Sequence, residues 1–232
     1  MYVLFIIILI LIFYTNLNYF KYNRNHLKYN KFLKEKDNFI DVDTCKNISK
    51  TLLNHPHMGL GGFCIRFTDN EHTEDNFSKN GLTEIYNIFK MVKAPGTIQY
   101  VCNILILPVS SGITIGEHYD GTQETTDWLN RQYMPMCTSV VYLNMPNKFE
   151  GGELFLKKFN TSRIYKIVKP SIGKMVEFRG DMSHGVYEIH SEENIDRLSL
   201  VFEQYIVSDN TTFEIEPIFT EVRRVGDETH FS

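Results

Sequence analysis

The sequence predicts a mainly β fold with flanking helices, in which helices pack against a β-sandwich or barrel, and three observations carry that prediction. After Pro95, eight short apolar or alternating runs recur between Gly, Pro and Asn residues, at 98–107, 113–119, 138–143, 153–156, 164–168, 173–178, 184–189 and 197–207. That punctuation is the pattern of an all-β body. Before Pro95, two stretches carry apolar residues at helical spacing. Aromatic residues make up 13% of the chain, a share that suits pleated surfaces on which rings pack.

Taken from the N-terminus, residues 1–14 (MYVLFIIILILIFY) are continuously apolar. Extended to Phe20, the run gives about 30 Å of helix, enough to cross a bilayer. No Lys or Arg precedes it and no small-residue cleavage site follows. Residues 1–20 are therefore predicted to be an uncleaved transmembrane anchor of a single-pass membrane protein. Residues 21–37 read as a basic juxtamembrane linker, with Lys21, Arg24, Lys28, Lys31, Lys34 and Lys36 against Glu35 alone before Asp37. This positive flank favours a cytosolic body. Four Asn-x-Ser/Thr sequons, at Asn47, Asn76, Asn160 and Asn210, would suit the lumenal side instead.

The linker hides the charge of the rest. Without those six basic residues and Glu35, the whole-chain 24 basic and 28 acidic residues leave a body near −9, a poor partner for a phosphate backbone. Nucleic acid is thus disfavoured as a substrate. Cys45, Cys64, Cys102 and Cys137 are far apart and form no CxxC pair, so they read as reduced, buried thiols.

The body, 38–232, reads as one domain. Its first helix is predicted over 42–54, with Asp41 or Asp43 as N-cap and Cys45, Ile48, Leu52 and Leu53 at helical spacing before Pro56. A short strand around 62–67 lies between a Gly-rich turn and a polar loop. A second helix over 81–92 lines up Leu82, Ile85, Ile88, Phe89 and Val92.

The chemistry sits in the β region. A strand runs into His118-Tyr119-Asp120, and alternation puts His118 and Asp120 on one face. Two ligands leave a metal site incomplete, so a third must come from elsewhere. His184 opens a later strand, and its rivals are His190, His55, His57 and His72. Two His and one carboxylate make the facial triad of non-heme iron(II) oxygenases. Arg197 and Ser199, two apart, share a face of a further strand, and an Arg there suits a carboxylate. The interval from Gly121 to Cys137, with Trp128 and Arg131, is placed to overhang the metal as a substrate loop.

In order along the chain, NFIDVDTC (38–45), HYD (118–120), TSVVYLNMPNKFEGGELFL (138–156), P-x-x-G-x-x-x-x-F (170–178), HGV (184–186) and RLSLVFEQY (197–205) resemble the 2-oxoglutarate oxygenases of prolyl and lysyl hydroxylase type. The resemblance covers roughly residues 38–207. It implies a double-stranded β-helix (jelly-roll) core that binds Fe(II) and 2-oxoglutarate, with ascorbate as reductant. By the same resemblance, Arg197 and Tyr142 hold the far carboxylate of 2-oxoglutarate, with Ser199 beside them. The implied activity is hydroxylation of a peptide or protein side chain, proline at C4 first, with succinate and CO2 as co-products. Lysyl hydroxylation, nucleic-acid demethylation of the related repair type, and a catalytically silent membrane-tethered binding module are the alternatives.

Overall fold

The computed structural model describes residues 28–109, 112, 114–121, 133–207 and 213–218. The expected anchor over 1–20, and both Trp128 and Arg131, lie outside the described residues. Among the described residues no helix is long and apolar enough to cross a membrane.

Helix α1 (Val42–Leu53) opens at Asp41, whose carboxylate accepts the Thr44 N–H at 2.9 Å, and it buries Cys45, Ile48, Ser49 and Leu52. Helix α2 (Thr73–Lys79) falls where the sequence predicts a polar loop. At seven residues, with only Thr73 and Phe77 buried, it is too short to show a periodic signal. Helix α3 (Thr83–Val92) buries Ile85, Ile88, Phe89 and Val92 as its spacing predicts, but begins two residues later than expected. The cause is Gly81, which turns the chain at φ +71°.

Among the described residues, thirteen strands follow the order β1 (Leu33–Lys36), β2 (Gly62–Thr68), β3 (Gln99–Leu107), β4 (Ile115–His118), β5 (Cys137–Asn144), β6 (Glu150–Gly151), β7 (Leu154–Lys157), β8 (Ile164–Val168), β9 (Met175–Arg179), β10 (Ser183–Val186), β11 (Ile189–His190), β12 (Arg197–Tyr205) and β13 (Glu214–Ile218). Every pairing between them is antiparallel. Seven strands form a large sheet, β1-β9-β5-β12-β3-β2-β13, and four a smaller one, β4-β10-β7-β8; β6 and β11 pair alone. The fold is mainly β, as predicted, in a jelly-roll arrangement.

Three boundaries differ from expectation for local reasons. The run at 184–189 is two strands, β10 and β11, each with its own partner. The run at 173–178 starts at Met175 because Gly173 sits at φ +77°. A Cβ there would lie 2.1 Å from the Ile40 carbonyl, which leaves room for glycine alone. Leu33–Lys36, assigned to the basic linker by its charge, is an edge strand paired with β9. Its Glu35 meets Lys174 at 2.9 Å and Lys166 at 3.3 Å. Charged residues are tolerated on such an edge, which is why hydrophobic alternation does not reveal it.

The large sheet separates two cores. Leu198, Leu200 and Phe202 on one face of β12 pack with Tyr100, Phe67, Phe89 and the helices. On the other face, Val140, Tyr142, Val176 and Phe178 meet Leu154, Leu156 and Val186 of the small sheet. Arg197 and Ser199 alternate onto this inner face, as strand parity requires. The four cysteines are free and buried, as expected.

Candidate metal and co-substrate site

His118 and His184 face each other across β4 and β10 as a directly opposed pair. Their rings lie 4.4 Å apart between centroids. Asp120, two residues beyond His118, brings its Oδ1 to 3.4 Å from His184 Nε2 and 3.8 Å from His118 Nε2. One ligand atom from each of the three residues lies within 4.8 Å of the others. Metal bonds of about 2 Å to N and O set neighbouring ligand atoms about 3 Å apart, so only a small closure separates this arrangement from a coordinated one.

The donor chemistry fits as well. His118 Nδ1 is 2.8 Å from the Gly116 carbonyl, and His184 Nδ1 is 3.1 Å from that of Met182. Each Nδ1–H donates to a carbonyl, so in the neutral ring each Nε2 presents its lone pair to the shared centre. The Thr138 hydroxyl donates to Asp120 Oδ2 at 2.5 Å, leaving Oδ1 to the centre. Burial alone would favour the neutral acid, but His184, His118 and Thr138 outweigh it and hold Asp120 at about 2. Burial and the neighbouring His184 lower the pKa of His118, which keeps that imidazole neutral and able to ligate. An N,N,O set with one carboxylate suits Fe(II) with open positions.

A second cluster lies deeper along the same inner face. Arg197, 4% exposed, donates from Nε to Ser199 Oγ at 3.1 Å and from Nη1 to the Gly152 carbonyl at 3.0 Å. Its guanidinium stands 4.8 Å over the Tyr142 ring. Burial lowers its pKa, and among the described residues no carboxylate pairs with it. Among the described residues the buried Tyr142 hydroxyl has no hydrogen-bond partner. A buried cation and an orphaned hydroxyl side by side are costly unless an anion completes them. The far carboxylate of a dicarboxylic acid fits that need. Gly151 and Gly152 shape this corner, at φ +76° and +72°. A Cβ on Gly151 would come within 1.9 Å of the Glu188 carbonyl.

The structure therefore brings His118, Asp120 and His184 to one point and Arg197, Tyr142 and Ser199 to another. The rival His190 is exposed, 3.5 Å from Glu188, and His55 stacks on Phe63. The sequence does not single out Thr138 or the Gly152 carbonyl. Thr138 shares the inner face of β5 with Val140 and Tyr142, so a polar residue on that apolar stripe is the signal that marks it.

Residues 105–202 match the family model of the 2OG-Fe(II) oxygenase superfamily. The match spans 98 of the 232 residues, under half of the chain. It holds every residue of both clusters, and the superfamily's metal and co-substrate are Fe(II) and 2-oxoglutarate. Among solved structures, the chain is similar to a Pseudomonas putida prolyl-4-hydroxylase, with 16% identity, a TM-score of 0.47, and 77% of this chain and 95% of that one covered. It is similar to IDO from Bacillus thuringiensis, at 12% identity and a TM-score of 0.49 over 78% and 96% of the two chains. A third is a Trichoplax adhaerens prolyl hydroxylase in complex with a hypoxia inducible factor peptide fragment, at 16% identity and a TM-score of 0.45 over 78% and 86%. No curated protein matches the chain.

Proposed function

We propose that this protein is an Fe(II)- and 2-oxoglutarate-dependent dioxygenase that hydroxylates a peptide or protein side chain, proline at C4 first. The observation that carries the reaction class is the pairing of the triad with the Arg197–Tyr142 corner on one inner face. Thr138, which holds Asp120, and Tyr142 are four residues apart on β5, about 13 Å. A five-carbon dicarboxylate bridges such a span when one end chelates a metal and the other accepts hydrogen bonds. The ordered motifs from NFIDVDTC to RLSLVFEQY support the prolyl hydroxylase assignment, and the acidic body weighs against a nucleic-acid substrate.

Each residue has a task. His118, Asp120 and His184 would hold the metal on one side, leaving the opposite positions open. Arg197 and the Tyr142 hydroxyl would fix the far carboxylate and so orient the other end of 2-oxoglutarate at the metal. Ser199 and the Gly152 carbonyl keep the guanidinium in place. Val140, Val176, Leu154 and Leu156 keep the interior dry. An iron ion held by His118, Asp120 and His184 would supply oxygen activation coupled to decarboxylation of 2-oxoglutarate. One O2 is divided between succinate and the substrate, whose C–H becomes C–OH while CO2 leaves. The apolar residues 1–20 would tether the enzyme to a membrane, with the basic flank favouring a cytosolic body.

The full chain in detergent, supplied with Fe(II), ascorbate and a peptide pool, is expected to convert 2-oxoglutarate to succinate and to add one oxygen atom to prolyl peptides by mass spectrometry. Oxygen found on lysine would displace the prolyl assignment. No metal-dependent turnover with any peptide would sink the enzyme reading. A glycan on Asn47, Asn76 or Asn160 in cells would place the body on the lumenal side.

A further inference from the structure

The faces of β4 and β10 opposite the metal ligands carry a second set of contacts. Glu117 precedes His118, Ser183 precedes His184, and both point to the outer side of the small sheet. Ser183 Oγ donates to Glu117 Oε1 at 2.8 Å. Glu117 Oε2 meets Lys157 Nζ of β7 at 2.5 Å, and Lys157 is the cross-strand partner of Ser183. The three side chains link β4, β10 and β7 across the outside.

The backbone alone gives β4 little hold. It is four residues long and sits at the edge of its sheet. Its pairing with β10 covers His118↔His184 and Ile115↔Val186, with a register irregularity between them. Two of the three metal ligands therefore face each other across the least regular pairing of that sheet. Small slips there move His118 directly against His184, because each ring is fixed to its own strand by a carbonyl.

We propose that Glu117, with Ser183 and Lys157, is an outer-face lock that sets metal affinity by fixing the spacing of His118 and His184. These are positioning residues: none reaches the inner face. The proposal rests on the metal-site reading given above, but not on the substrate. An ion pair with Glu117 at 42% side-chain exposure adds little to folding, so its effect belongs in the metal site and not in overall stability.

The test is anaerobic titration of the full chain with Co(II), read by calorimetry and by the visible absorption of the bound ion. Glu117→Ala and Ser183→Ala are expected to weaken Co(II) binding about 10-fold and to change the absorption, with apo thermal midpoints near wild type. Glu117→Gln, which still accepts from Ser183, is expected to recover most of the affinity, and it serves where the alanine variants fold poorly. Co(II) affinities and spectra matching wild type in Ser183→Ala and Glu117→Ala, or a Gln variant as weak as the Ala one, would overturn the lock. A wild-type chain that binds no Co(II) would overturn the metal site itself, a separate outcome.

Discussion

The two sheets hold their functional residues in different ways. Arg197 and Ser199 lie on β12, which runs nine residues, is paired with β3 along its whole length and with β5 along most of it. His118 lies on β4, a four-residue edge strand, and Asp120 lies beyond its end, held across the interior by Thr138. The co-substrate corner is thus built into the most continuously paired strand of the molecule. The metal end depends on side-chain hydrogen bonds. Changes outside the site should therefore be felt by the metal well before they are felt by 2-oxoglutarate.

The largest effects come from removing what each end is made of. Asp120→Ala or His118→Ala is expected to weaken metal binding by more than about 100-fold, beyond the range of outer contacts, and to abolish succinate formation. Retained Co(II) binding in Asp120→Ala would break the assignment of the triad. At the other end, Arg197→Met keeps a long apolar side chain over the Tyr142 ring. It is expected to raise the 2-oxoglutarate Kd about 100-fold with Mn(II) present, in line with the loss of one partner of a buried charged contact. Metal affinity should stay near wild type there, because β12 keeps its pairing. If both affinities fall together in Arg197→Met, the two ends are not separable.

His118, Asp120, Arg197 and Ser199, with His184, are also the ones a reader of the sequence can reach. Period-two alternation puts His118 with Asp120 and Arg197 with Ser199, and the chemistry of the side chains does the rest. What escapes is whatever needs register between distant strands. Thr138 matters because Asp120 crosses the sandwich to reach it; its polar break in the apolar stripe of β5 marks the position but not that partner. The Gly152 carbonyl becomes a ligand of Arg197 only once β6 and β11 pair. The strand at Leu33–Lys36 carries three charges in four residues and reads as linker, yet it closes one edge of the large sheet. The interval holding Trp128 and Arg131 falls outside the described residues, so its expected role as a substrate loop stays a proposal.

A finer comparison uses a single oxygen atom. The Tyr142 hydroxyl is buried and, among the described residues, unpartnered, so the apo protein bears its desolvation with nothing in return. Tyr142→Phe is expected to leave the apo protein as stable, or more stable by about 1 kcal/mol, when measured by chemical denaturation. The same variant should bind 2-oxoglutarate about 10-fold more weakly, since the hydroxyl is then a lost donor. A destabilised apo protein with unchanged 2-oxoglutarate affinity would make Tyr142 a core residue and nothing more.

The smallest expected effect separates the ends by their titration. Burial lowers the pKa of His184, but Asp120 beside it reverses the balance and leaves it raised above the ordinary value of 6.5. Stability from a raised histidine is present below the unfolded value and is lost as pH rises through the folded one. For Asp120, held at about 2, stability is present above the unfolded value and lost only as pH falls toward 2. The apo protein should thus lose stability as pH climbs from about 6.5 through the His184 transition. A metal ion competes with that proton for the His184 ring nitrogen, so its affinity should move the opposite way, rising up to about tenfold per pH unit until His184 is neutral. Arg197 carries its charge throughout this range, so its contact with 2-oxoglutarate gives no such slope. Thermal midpoints of apo and Co(II)-loaded protein between pH 6 and 8.5 test this directly. Parallel curves for the two forms would mean that His184 has no proton to give up when metal binds, and the contrast between the two ends would then rest on geometry alone.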